Sequence, residues 1–237
     1  MRLFIRTSLF VTLLLSPATL ARAQAPVDPS GHWVGVVRVP DRPINIEVDL
    51  AKNPAGALIG SFAQPAQGVK ALPISAVTAR DRTVGFVVKA SAQSSTFTGI
   101  IAADGKTMTG EVTLGEYVVP FDLERLGDAR MAAAPKSPPI DNELEGVWYG
   151  AIGGSLRVIL KMANHPDGTA MGTIASPDGV DQEMPIAIRQ SGTRVTIEVD
   201  AVGGRFDGEL NVSTGELAGT WSQASASLPL ALTRAKP

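Results

Sequence analysis

Two histidines, His32 and His165, and a scatter of carboxylates are the side chains through which this 237-residue chain could hold a metal or move a proton. A zinc site needs three or four His, Cys or carboxylate ligands at one point. The two histidines fall at unrelated places, cysteine is absent, and neither histidine belongs to a cluster at ligand spacing. No run of alternating acidic residues closed by glycine and glutamate gives the calcium-loop pattern. No metal and no cofactor are therefore expected. Nucleophilic chemistry has as little support: there is no Gly-x-Ser-x-Gly elbow, no Ser-x-x-Lys and no thiol. Ser155, in Gly153-Gly154-Ser155, is the nearest mimic, and it reads as a turn serine ahead of an alternating strand. No catalytic residue is assigned.

Residues suited to binding are easier to name. Trp33 and Trp148 each follow a glycine at the start of an apolar run, placed either to plug a small β domain or to form an aromatic shelf at its mouth. The polar, proline-broken stretch Ser176-Pro177-Asp178-Gly179-Val180-Asp181-Gln182 offers Asp178, Asp181 and Gln182 to a partner, as loops do when a scaffold aims them. Gln64-Pro65-Ala66-Gln67-Gly68 is its counterpart earlier in the chain. Trp221 and Gln223, in Gly219-Thr220-Trp221-Ser222-Gln223, are a further candidate pair. Asn211-Val212-Ser213 matches a glycosylation sequon and is discounted in a chain of bacterial character.

The elements that must position these residues occur twice. Gly31-His32-Trp33-Val34-Gly35 returns as Gly146-Val147-Trp148-Tyr149-Gly150, and Leu72-Pro73-Ile74 as Met184-Pro185-Ile186. Phe97-Thr98-Gly99 returns as Phe206-Asp207-Gly208, and the strand ending in Arg125 as the one ending in Arg234. So long a period means duplicated small domains, expected at 29–127 and 144–237. Between them, 128–143 is rich in proline and alanine and reads as a semi-rigid spacer. Apolar residues alternate with polar ones inside each copy, as in Ile44, Ile46, Val48 and Leu50, which is the period of a half-buried strand. Eight such strands per copy, separated by turn signals such as Asn53-Pro54, Asp104-Gly105 and Asp167-Gly168, predict an antiparallel meander. Closure of eight strands removes the exposed edges. The expected fold is all-β: two tandem up-and-down, lipocalin-like eight-stranded barrels, with a two-sheet sandwich as the competitor.

Residues 1–23 read as a secretory signal peptide, with Arg2 and Arg6, a short apolar run Leu9–Leu15, and Ala21-Arg22-Ala23 before the cut. That run is far short of the roughly 20 residues of a spanning helix. A periplasmic or secreted location is expected, without membrane insertion. Cleavage removes three arginines and no acids, taking the net charge from −2 to −5. Both signs are interspersed with no basic stripe, which excludes nucleic acid as a partner. With no disulfides available, packing alone must hold each copy together.

In the second copy, Gly-x-Trp-x-Gly, Leu156-Arg157-Val158, Asp167-Gly168-Thr169, Ser176-Pro177-Asp178, Met184-Pro185-Ile186, Phe206-Asp207-Gly208-Glu209-Leu210, Gly219-Thr220-Trp221-Ser222-Gln223 and Leu228-Pro229-Leu230 follow in order. This series resembles the small β domain that precedes the catalytic domain in secreted bacterial α/β-hydrolases and some β-lactamase-like serine hydrolases. The first copy departs from it, with Glu111-Val112-Thr113 and Gln64-Pro65 at the equivalent places. No catalytic domain is expected to follow, since Pro237 stands three residues past Arg234. The resemblance implies an accessory role. The expected function is a non-catalytic, exported protein that binds an envelope protein, such as a secreted hydrolase, or a polymeric ligand. The alternatives are a lipocalin-like carrier of a small apolar ligand and, remotely, a hydrolase without a recognisable motif.

Overall fold

A computed structural model of the chain describes residues 27–89, 94–179 and 182–235; the segment 1–23, read above as a signal peptide, and Asp181 lie outside them. The first copy contributes nine strands: β1 Gly31–Val37, β2 Ile44–Lys52, β3 Leu58–Gln64, β4 Val69–Pro73, β5 Ser75–Arg80, β6 Thr83–Val88, β7 Ser95–Ile101, β8 Thr107–Leu114 and β9 Tyr117–Gly127. The second contributes eight: β10 Gly146–Ile152, β11 Leu156–Asn164, β12 Ala170–Ala175, β13 Met184–Ser191, β14 Arg194–Val199, β15 Gly204–Asn211, β16 Glu216–Gln223 and β17 Ala226–Arg234. Every pairing is antiparallel, and β10 to β17 close into a barrel in chain order. No helix among the described residues is long and apolar enough to cross a membrane.

The first copy closes differently. Its sheet runs β4-β3-β2-β1-β9-β8-β7-β6-β5, and its two ends, β4 and β5, are consecutive in the chain. Sequence alternation places one strand where the chain makes two. β4 pairs with β3 through Pro73 opposite Ser61, Ile74 N donates to Gly60 O at 3.2 Å, and β5 then pairs with β6 from Ser75. A positive φ of 49° at Ala76 accompanies the register shift that follows. The same corner in the second copy is a continuous strand, whose first half pairs with β12 and whose second half pairs with β14.

Side chains fill both barrels. In the first, Phe86 stacks on Phe97 at 4.7 Å, and Phe62 and Phe121 tilt against Phe97 at 6.1 and 5.5 Å. Register puts Ile174, Ile197, Phe206 and Leu230 at the same four positions of the second copy. The volume lost there is made up by Trp221, which stands where the first copy has Val112. Both interiors are thus occupied by buried side chains, with different residues at equivalent positions. Close strand approach needs glycine at one repeated point: a Cβ on Gly110 would lie 2.1 Å from Thr98 O, and one on Gly219 2.2 Å from Asp207 O.

The stretch between copies is not a freestanding spacer. Arg130 N donates to Asp49 Oδ1 at 2.7 Å, which ties its start to the first barrel. Ser137 forms an antiparallel bridge with Ala170, and its hydroxyl accepts Ile188 N at 2.8 Å. It sits where β12 and β13 have parted, their pairing being confined to Gly172–Ile174 with Met184–Ile186. Ile140 and Leu144 are buried in the core, and Asn164 bonds both backbone groups of Ile140. Three prolines stop this segment from forming a strand, yet its serine and isoleucine give it polar and apolar anchors on the second barrel.

Candidate functional site

Trp148 is fully buried, and its Nε1 donates to Leu144 O at 2.9 Å; Trp33 does the same to Pro29 O. The shelf reading of Trp148 is corrected accordingly: with no exposed surface, the ring presents nothing to a ligand. Trp221 is 5% exposed and Gln223 braces it. Gln223 Oε1 accepts Trp221 Nε1 at 3.4 Å, while its Nε2 donates to Val202 O at 3.0 Å. The pair therefore supports the 3-10 turn Asp200–Val202 from behind.

Asp178 turns back onto the barrel. Arg157 donates to it from Nε and Nη2, and from its backbone N at 3.0 Å. These bonds hold the Asp178 carboxyl down at about 2 and raise the Arg157 guanidinium. Gln182 is half-buried on the same loop.

The two histidines differ in kind. His165 is an exposed turn residue, its backbone bonded to Thr169 and Gly168. His32 is 3% exposed on the outer face of β1, with Nδ1 3.0 Å from Asp49 Oδ1 and Nε2 3.9 Å from Glu47 Oε2. Cross-strand register makes this cluster: His32 lies opposite Asp49, and Asp49 opposite Ser61. The order is wrong for a hydrolytic triad. The aspartate stands between the other two, and two strand spacings, roughly 9–10 Å, separate histidine from serine. Asp49 instead spends its carboxylate on His32 and the Arg130 amide.

A concave site does exist, between the barrels. The cleft holds about 400 Å³ and is lined by Ile59, Ser61, Ala71, Pro73 and Ile74 of the first copy, and by Pro185, Ala187 and Ala201 of the second. Met131 to Ala133 border it, and Glu183, Glu198 and Asp200 are its charged groups. Its two walls are the same element: Pro73 opposes Ser61 in register as Pro185 opposes Thr173. Small and proline side chains on these outer faces leave the hollow when the barrels meet. Glu183 accepts from Lys161 Nζ and from Thr173 Oγ1, the latter at 3.0 Å, and both lower its pKa, Lys161 first. Glu198 is paired with Arg205 at 2.7 Å. Size, apolar walls and a position between domains are those of small-molecule sites. Sequence reasoning missed it because outer-face residues read as solvated until a second body covers them.

No protein-family model matches the chain. No curated protein matches it. Among solved structures, the chain is similar to a candidate outer membrane protein from Bacteroides fragilis, with 11% identity over 86% of this chain and 95% of that one, at a TM-score of 0.30. A protein of unknown function of the DUF3598 family from Nostoc punctiforme is similar at 12% identity over 87% and 96%, with a TM-score of 0.25. Likeness at this level carries no functional weight, and the barrel architecture rests on the strand pairing itself.

Proposed function

We propose that this chain is an exported, non-catalytic binding protein of the bacterial envelope that seats a small, largely apolar ligand between its two barrels. The observation that carries this reading is the contrast between two packed interiors and an apolar cleft of about 400 Å³ at their junction. On this reading the carrier's ligand lies outside the lumen. The signal-like sequence supports export, and the structural use of His32 and Asp49 supports the absence of chemistry. Titration with Nile red, a neutral apolar dye, tests the site. Wild-type protein is expected to bind the dye, and Ala187→Trp, on the cleft wall, to abolish binding without loss of stability. Dye binding that survives Ala187→Trp and Ala71→Trp would overturn it.

A second reading, an accessory partner of a secreted hydrolase, draws on the resemblance of the second copy and on one surface feature. Tyr117 and Val118, at the β8–β9 hairpin, are 74% and 57% exposed, more than isolated surface residues need to be. Capture of an envelope hydrolase from periplasmic extract, lost on Tyr117→Ser with Val118→Ser, is the expected result; recovery of nothing above background counts against it.

A further inference from the structure

The two copies differ at one pair of equivalent positions on the cleft walls. In the second, Thr173 gives its hydroxyl to Glu183. In the first, Ser61 holds the register position of Thr173, and Ala71 stands where Glu183 would be. Ser61 is only 6% exposed, lines the cleft, and its hydroxyl makes no hydrogen bond among the described residues. The hydroxyl oxygen is not sealed from solvent, so it stays open to a donor that enters the cleft.

Charge adds a second constraint. The ionisable side chains lining the cleft are Glu183, Glu198 and Asp200, all acidic. Lys161 offsets the first and Arg205 the second. The Asp200 carboxylate forms no hydrogen bond or ion pair among the described residues. The backbone that carries it is fixed, while the side chain itself is exposed: Asp200 O accepts Gly203 N, Ala201 beside it is buried, and Gln223 holds Val202. A carboxylate on a fixed turn beside an apolar wall attracts a cation and repels an anion.

We infer that the cleft takes a cationic amphiphile, a small alkylammonium whose body lies on Ile59, Ile74, Pro73 and Pro185 and whose N–H donors reach Asp200 and Ser61. This rests on the cleft being the binding site and adds the ligand's chemistry. An alkyl carboxylate of the same shape is excluded by charge, and an alcohol lacks the ion pair.

Calorimetric titration with n-octylammonium, n-octanol and n-octanoate separates the two claims, since the apolar body is constant. The ammonium is expected to bind about tenfold more tightly than the alcohol, as a charge-assisted hydrogen bond provides, and the carboxylate more weakly than either. Asp200→Asn is expected to bring ammonium and alcohol within about twofold of each other while leaving the alcohol unchanged. Ser61→Ala is expected to weaken the ammonium about fivefold. Three equal affinities, all lost in Ala187→Trp, would sink the cationic assignment and leave the cleft standing. No binding of any probe, Nile red included, would sink both. A capped Leu-Lys-Leu peptide that outbinds octylammonium would overturn the small-molecule assignment in favour of a lysine side chain.

Discussion

The guanidinium of Arg125 stands 4.5 Å from the centre of the Trp33 ring, and its Nη2 donates to Asp28 O at 2.6 Å. Arg234 lies opposite Trp148 in register as Arg125 lies opposite Trp33, and donates to Asn142 O at 3.2 Å. The last strand of each copy thus reaches over the tryptophan of the first and fastens the segment that enters the barrel. Truncation of Trp148 to Ala should cost about 3–5 kcal/mol, the range for a buried aromatic. Arg125→Ala should cost about 1 kcal/mol, from the cation–π contact and one exposed bond. Urea denaturation of each variant checks the order.

Gly219→Ala should destabilise the second barrel by about 1–3 kcal/mol or more, since the new methyl meets backbone that cannot swing aside. Gly215→Ala, with nothing within 4 Å of its Cβ but a φ of 68°, isolates the conformational cost from the steric one. Thermal unfolding of the two variants separates these causes.

Ser137→Ala removes the acceptor of a buried amide. Leaving Ile188 N unsatisfied should cost about 1–3 kcal/mol and raise hydrogen exchange at Ile188 ahead of its neighbours in β13. Unchanged protection at Ile188 would show that another group replaces the hydroxyl.

Asp178 should titrate at about 2 in the folded protein, against about 3.9 for a free aspartate. Its folded value is the lower one, so the stabilisation is complete above the unfolded value and fades as pH falls towards 2. Arg157→Gln should return the carboxyl towards its ordinary value. Carboxyl carbon NMR reads the shift directly, and the effect on stability stays small because the pair is exposed.

Strand positions were legible because one face of each is buried, which imposes alternation on the letters. The break between β4 and β5 was not, since Ser75-Ala76-Val77 keeps the alternation and a positive φ at alanine leaves no mark in sequence. His32 and Asp49 are 17 residues apart, and only strand register makes them neighbours. Trp148, Trp221 and Gln223 were read as binding candidates from their type, but type does not say whether a ring faces inward. The cleft was the least legible feature. Ala71, Ala187 and Ala201 are small residues on outward faces, and their meaning depends on how two barrels meet.

Ser137 completes pairing that β12 and β13 leave unfinished, so the seam between the repeats is welded to one of them. Cutting the gene at the obvious repeat boundary would deliver a second half with a gap in its wall. The stitch that the second barrel requires is carried by the connecting segment, so a fragment of that barrel is whole only with the residues that precede its first strand.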